Sequence, residues 1–191
     1  PISVGGWGAC KGHDGQVGLF CVGDGETYNV PVEMAETRYG IRVDEHSLHT
    51  DGAGAGEYRG GSGAVRVYRS MNENQTFTAS FGRNKWPVWG AAGGKDGSVN
   101  YFQFIDADGT VSEPMGIAAR RVMNTNDVVR MVTATGGGYG NPFKRPAEKV
   151  AMDVKNEYIT VEQAKADYGV LVDPETFKVL GLTEERQKAE K

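Results

Sequence analysis

The chain has 191 residues, 28 of them glycine, about twice the ~7% share usual in soluble proteins. The glycines keep no three-residue period, which excludes collagen, and 39% apolar residues with only 7 prolines exclude a low-complexity disordered chain. The net charge of -4 mixes both signs along the chain, so no basic block points to nucleic acid, no polybasic stretch points to a membrane surface, and no apolar run approaches the ~20 residues of a spanning helix.

Most of the chain reads as strands and turns. No secretory leader pattern is visible, and the first residue is proline, so the expectation is a trimmed start or a piece of a longer protein. Val17–Val22 is a short apolar run after a loop. Ala64–Arg69 alternates apolar and charged residues, the mark of a half-buried strand. Thr76–Phe81 alternates likewise, with Phe77, Ala79 and Phe81 on one face. Val99–Ile105 sets Tyr101 opposite Phe102 and Phe104, and Asp106–Gly109 turns the chain. Asp127–Thr133 is the last clear strand.

The period changes after Gly140. Pro146 suits the first turn of a helix over Pro146–Glu157, with Val150 and Val154 on one face. Thr160 and Gln163 fit a capping box that opens a second helix carrying Val161, Ala164 and Tyr168, and Gly169 stands where that helix should stop. The charged stretch from Gly181 to Lys191 is expected to fray. The fold expected is α+β: predominantly antiparallel β with Gly-rich loops in residues 1–140, then two short C-terminal helices, in one domain made of a β-rich part, a helical tail over 141–180 and a frayed end.

The two cysteines, Cys10 and Cys21, are too few for a disulfide framework and read as reduced thiols, with a single disulfide closing a short loop as the alternative. Together with His13 they offer nitrogen and sulfur donors for zinc, but no second cluster supplies a fourth ligand. Two glycine-rich stretches invite chemistry. Thr135–Pro142 (T-G-G-G-Y-G-N-P) runs from a strand to a helix, a setting in which backbone N–H groups can cradle an anion. It lacks the Lys-Ser/Thr of a phosphate-binding loop, and a crowded turn where backbones pass closely is the plainer account. Asp51–Gly63 (D-G-A-G-A-G-E-Y-R-G-G-S-G) is flanked by His46, His49 and Arg66. His49 and Asp51 can form an acid/base pair or share a metal, and Arg59 can bind an anion or a carboxylate; a long ordered loop is the plainer account. Gly5–Ala9 and Trp86–Gly94 set tryptophans among small residues, for packing or for a pocket wall. No Gly-x-Ser-x-Gly elbow or nucleophile–base constellation stands out.

Seven of these blocks, in order, resemble the C-terminal region of the hydantoinase B/oxoprolinase family. They are G-G-W-G-A with K-G-H-D-G at Gly5–Gly15, N-V-P-V-E at Asn29–Glu33, E-x-R-Y at Glu36–Tyr39, Asp51–Gly63, W-G-A-A-G-G-K at Trp89–Lys95, G-G-G-Y-G-N-P at Gly136–Pro142, and Asp153–Val170. The resemblance implies the B-type component of a cytoplasmic, ATP-dependent system, partnered by an A-type component that carries the nucleotide-binding fold. Such systems open cyclic amides, and related ones carboxylate ketones such as acetone or acetophenone. In both, ATP phosphorylates an unreactive carbonyl-derived oxygen. The N-x-P-V-E block leans toward the hydantoinase and carboxylase members.

The resemblance covers about the last third of a typical B-type component. The family's metal-binding His and Asp residues lie in the remaining, N-terminal part, so they are not carried over to His13, His46 or His49. ATP and a divalent metal are expected in the complete complex and neither in this chain. The family often has Arg where this chain has His49, and Asp where it has Asn141. The reading is thus a C-terminal part or split subunit that shapes the substrate pocket and subunit contacts. Its pocket candidates are His49, Asp51, Arg59, Gly137, Gly138, Tyr139 and Asn141, with no catalytic residue assigned. Its partners are the N-terminal part of the B-type component, the A-type component, and a small cyclic amide or ketone. The alternatives are a carboxylase subunit, a non-catalytic assembly module, and a metal enzyme built on Cys10, His13 and Cys21.

Overall fold

A computed structural model describes residues 5–18 and 30–189. It is α+β, with antiparallel sheets and short helices. The central sheet is four-stranded, in the order β1 (Ile41–His49), β2 (Gly63–Ser70), β6 (Val128–Val132), β4 (Tyr101–Ile105), and every pairing in it is antiparallel. A separate pair, β3 (Gln75–Ser80) with β5 (Ile117–Met123), lies over one face. There Phe102, Phe104, Val129 and Met131 of the sheet pack against Phe77, Phe81 and Met123. The rings meet edge-on, with centroids 5.5 Å apart for Phe77 and Phe104 and 5.6 Å for Phe81 and Phe102, the arrangement that ring quadrupoles favour. The expected faces hold: Phe102 and Phe104 are buried while Tyr101 is half-exposed.

The helical part follows the sequence closely. Helix α2 (Ala147–Lys155) starts after Pro146, and α3 (Val161–Tyr168) carries the full capping box between Thr160 and Gln163. Gly169 ends α3 at φ 63°, a left-handed conformation that costs glycine nothing. A second core joins Val150, Val154, Ile159, Ala164 and Tyr168 to Val170 and Val172.

Several elements differ from the reading of the sequence. Val32–Tyr39 is helix α1, closed by Gly40 at φ 60°, where only strands and turns were expected. The signals are present: Pro31 at the start, Glu, Met, Ala and Arg inside, and Gly just past the end. Strands β1 and β5 were not expected either. Each carries a register shift, between Val43 and Glu45 in β1 and opposite Phe77/Ala79 in β5, which breaks the two-residue period a strand is recognised by. Past Gly169 the chain forms the hairpin β7 (Val170–Val172) and β8 (Val179–Leu182), so Asp127–Thr133 is not the last strand. The expected fray is corrected too: Glu184–Ala189 is helix α4, and its Arg186 is buried, donating to the carbonyls of Tyr168 and Arg145. Val17 and Gly18 form a bend, and the rest of the Val17–Val22 run lies outside the described residues.

Helix α1 rests on β1 and buries none of its own residues. Among the described residues, no helix is long and apolar enough to cross a membrane.

Candidate functional site

The glycine-rich stretches converge. Segment 134–140 extends beyond β6 and is hydrogen-bonded on three sides. On one, Gly6 N–H donates to Ala134 O at 2.8 Å and Ala9 N–H to Gly137 O at 2.9 Å. On the second, Gly136 N–H donates to Gly61 O at 2.8 Å, and Tyr58 and Tyr139 exchange bonds of 3.0 and 2.9 Å. On the third, Ala91 N–H donates to Gly138 O and Gly138 N–H to Lys95 O, both at 2.9 Å. A sheet strand has two neighbours; this segment has three because four of its seven residues are glycines that carry no side chain. A Cβ on Gly136 would strike the Trp7 carbonyl, one on Gly137 the Trp89 carbonyl, and one on Gly138 the Ala55 carbonyl, all inside the 3.0 Å that real Cβ atoms respect. Gly60, Gly61, Gly54 and Gly94 are enclosed by backbone in the same way.

A charged cluster fastens this bundle to the helical part. Arg145 is buried, with its guanidinium forked between two carboxylates. Its Nη1 and Nη2 donate to Asp14 at 2.7 and 2.9 Å, its Nε donates to Asp153 at 2.9 Å, and Nη1 also reaches Glu57 O at 3.0 Å. Asp14 further accepts from the backbone N–H of Arg59 at 2.7 Å. Burial works to raise the Asp14 pKa, but the bonds and charge of Arg145 and the Arg59 N–H outweigh it and hold the carboxyl below its ordinary value. For Asp153, burial wins over the pull of Arg145 and Arg59, and its pKa is raised. The cluster of Asp14, Arg59, Arg145 and Asp153 balances its charges and belongs to the chain's own interior.

The candidate residues fall into two groups. Arg59 is buried at 4% exposure, and the carboxylate it finds is internal. Its Nη1 donates to Gly60 O at 2.7 Å, its guanidinium sits 4.3 Å over the Tyr158 ring, and its Nε lies 3.5 Å from Asp153, near enough for charge pairing but without a hydrogen-bond partner. Gly137 and Gly138 are likewise buried. The other four reach the surface. His49 is half-buried, its Nδ1 2.9 Å from Thr133 O, while the exposed Asp51 accepts from Gln163 Nε2 at 3.3 Å, so each member of the expected acid/base pair has a different partner. The Tyr139 ring leans on Tyr58 with centroids 6.3 Å apart. Asn141 is spent as the cap of a 3-10 turn, Pro142–Lys144, accepting from Phe143 N–H at 2.9 Å.

Cys10 and His13 face each other across a tight turn, exchanging backbone bonds of 3.1 Å, and both are exposed; Cys21 lies outside the described residues. Among the described residues no three His, Cys, Asp or Glu side chains converge as a metal site. In the Thr135–Pro142 loop the N–H groups of Gly136, Gly138 and Gly140 already donate to Gly61, Lys95 and Ala91, which leaves little of the loop's backbone to cradle a phosphate. His46 accepts from Arg66 Nε at 3.3 Å, and burial followed by the Arg66 charge lowers its pKa. The sequence reading missed Asp14, Arg145, Asp153 and Arg186. No local pattern marks them, because the partners lie far apart in the chain: Arg145 and Asp14 stand 131 positions from one another.

The family model for hydantoinase B/oxoprolinase matches residues 1–142. The B subunit of a putative D-/L-hydantoinase from Pseudomonas sp. (strain NS671) is 31% identical over 173 residues, covering 90% of this chain and 29% of that protein. The beta subunit of the Pseudomonas jessenii caprolactamase is 30% identical, over 89% of this chain and 30% of its own length. The crystal structure of the ATP-dependent caprolactamase from that species superposes with a TM-score of 0.76 at 29% identity, covering 98% of this chain and 32% of that one. Acetone carboxylase in its nucleotide-free form gives a TM-score of 0.76 at 18% identity, over 98% of this chain and 29% of that one, a likeness of fold. The chain therefore spans about a third of the length of the relatives it matches.

Proposed function

The chain belongs to the hydantoinase B/oxoprolinase family, and we propose that it works as the C-terminal part, or as a split subunit, of the B-type component of an ATP-dependent cyclic-amide hydrolase. The observation that carries this reading is the likeness to the ATP-dependent caprolactamase, which runs through 98% of the chain at 29% identity. In this reading the glycine bundle is a rigid wall, and the side chains at its rim, His49, Asp51, Tyr139 and Asn141, face the substrate pocket of the complete enzyme. Arg59, Gly137 and Gly138 position that rim from behind. Nucleotide and divalent metal are bound by the rest of the complex, including an A-type component, in the cytoplasm. The substrate is a small cyclic amide.

The isolated chain, supplied with ATP and a hydantoin or lactam, should turn over nothing; hydrolysis by the chain alone would end this reading. In the assembled complex, Asp51→Asn and Tyr139→Phe should lower turnover while the subunits still co-elute. If they instead released the subunits with no prior loss of turnover, an assembly module would be the better account.

A further inference from the structure

The sheet face beside α1 lies open. Two cavities adjoin there, sharing Tyr39, Ile41 and Tyr68 in their walls. One, of about 700 Å³, lies between the sheet and the β3–β5 pair, with Phe77, Val129 and Met131 in its lining. The other, of about 380 Å³, lies under α1 and adds Val32, Ala35 and Val43. Together they make one apolar cleft. Several polar groups along it are already paired: Ser70 Oγ donates to Gln75 Oε1 at 2.7 Å, Gln75 Nε2 to Tyr39 O at 2.9 Å, Arg69 Nε to Asp44 at 2.8 Å, and Arg66 Nε to His46 at 3.3 Å. With Ile41, Val43, Phe77, Val129 and Met131 in its walls, the cleft suits aliphatic and aromatic side chains.

Something must cover it. Helix α1 has eight residues and buries none of them, whereas helices below about 12–15 residues are marginal in water without tertiary packing. Val32 is 40% exposed and Tyr39 54%, although both stand on the face turned to the sheet. Among the described residues, β1 also pairs on one edge only. The relatives are roughly three times longer than the part this chain matches, so the protein best placed to supply the cover is the remainder of a B-type component. Resting on the family reading above, we infer that the cleft bounded by α1, β1 and β3–β5 is the seat of that upstream portion, which docks by inserting apolar side chains.

The upstream portion of the beta subunit of the Pseudomonas jessenii caprolactamase can be produced without its C-terminal region and titrated with this chain by calorimetry, its own C-terminal region serving as positive control. The wild-type chain should bind. Val32→Lys and Val43→Lys should each weaken binding at least tenfold while leaving the isolated chain's melting temperature unchanged. Binding that both variants retain would overturn the docking surface and leave the family role standing. Failure of the wild-type chain to bind at all, with the control binding, would overturn both. A lower melting temperature in both isolated variants would show that the chain covers the cleft with its own residues, and a wild-type dimer abolished by Val43→Lys would assign it to a second copy; either result overturns the inference.

Discussion

Replacing Arg145 with methionine tests whether the charged cluster holds the two halves of the chain together. The substitution keeps most of the volume but removes the bonds to Asp14, Asp153 and Glu57 O. Asp153, only 6% exposed, is then left with Arg59 at 3.5 Å as its charge partner. Breaking one side of a buried ion pair costs about 3–5 kcal/mol, because the remaining charge stays buried. For a chain of this length each kcal/mol moves the melting temperature by about 2–4 °C, so a fall of about 6–20 °C is expected. Arg145→Lys should fall between, since a single ammonium cannot fork between two carboxylates. Adding Asp153→Leu to Arg145→Met should recover part of the loss, because the orphaned charge goes with it. The readout is thermal and urea unfolding by circular dichroism. A loss below about 1 kcal/mol for Arg145→Met, or strict additivity of the two substitutions, would refute the reasoning.

Gly60→Ala should destabilise the chain by about 3 kcal/mol or more, the upper range for overpacking, because its Cβ meets the backbone of Gly136 and Gly137; Gly82→Ala, with nothing within 4 Å, should be close to neutral in the same melts. Acid should unfold the chain through Asp14 and Asp44, whose pKa values lie below the ordinary carboxylate value. Their contribution is complete above the unfolded value of about 4 and is lost as pH falls through the lower folded one. Asp153, with a raised pKa, acts the opposite way and favours folding as it takes up a proton. The melting temperature should therefore drop below about pH 4, and Asp14→Asn should make that drop shallower. Thr160→Ala removes the cap that accepts from Gln163 N–H and should cost about 0.5–2 kcal/mol by urea titration. Trp86→Ala, at a side chain 76% exposed, should shift the stability of the isolated chain by no more than about 0.5 kcal/mol.

Elements specified by neighbours in sequence were legible, and those specified by distant partners were not. The α3 cap and its Gly169 stop were readable because every participant lies within ten positions. Strands β2, β4 and β6 were readable as apolar or alternating runs, and the β2–β6 and β4–β6 pairings run without a register shift. Strands β1 and β5 were hidden by their own bulges, Arg120 at φ 51° among them. Helix α1 was masked by a low-contrast surface: with no buried residue it has only a weak apolar stripe. Nothing local marks the Asp14–Arg145 pair, whose members stand 131 positions apart. The rim residues His49, Asp51, Tyr139 and Asn141 were named from their residue types and their place in or beside the glycine-rich stretches, which can name positions but not say which side chains are already engaged.

The glycine surplus bears directly on how the site should be probed. Each glycine costs about 0.5–1 kcal/mol in regular structure relative to alanine, and the stretches that carry them gain something side chains cannot supply. Segment 134–140 receives backbone bonds from three directions, and glycine suits so crowded a line for the steric reason that it suits the axis of collagen. The same packing delivers Trp7, Trp89 and Tyr139 to the surface from rigidly held backbone. An activity lost on substituting Gly137 or Gly138 would therefore report a distorted wall and not a lost ligand contact, since their Cβ positions are filled by Trp89 and Ala55 carbonyls. Only changes at rim side chains that leave those backbone bonds intact, Asp51→Asn and Tyr139→Phe, can separate a pocket that touches substrate from a scaffold that merely holds its shape.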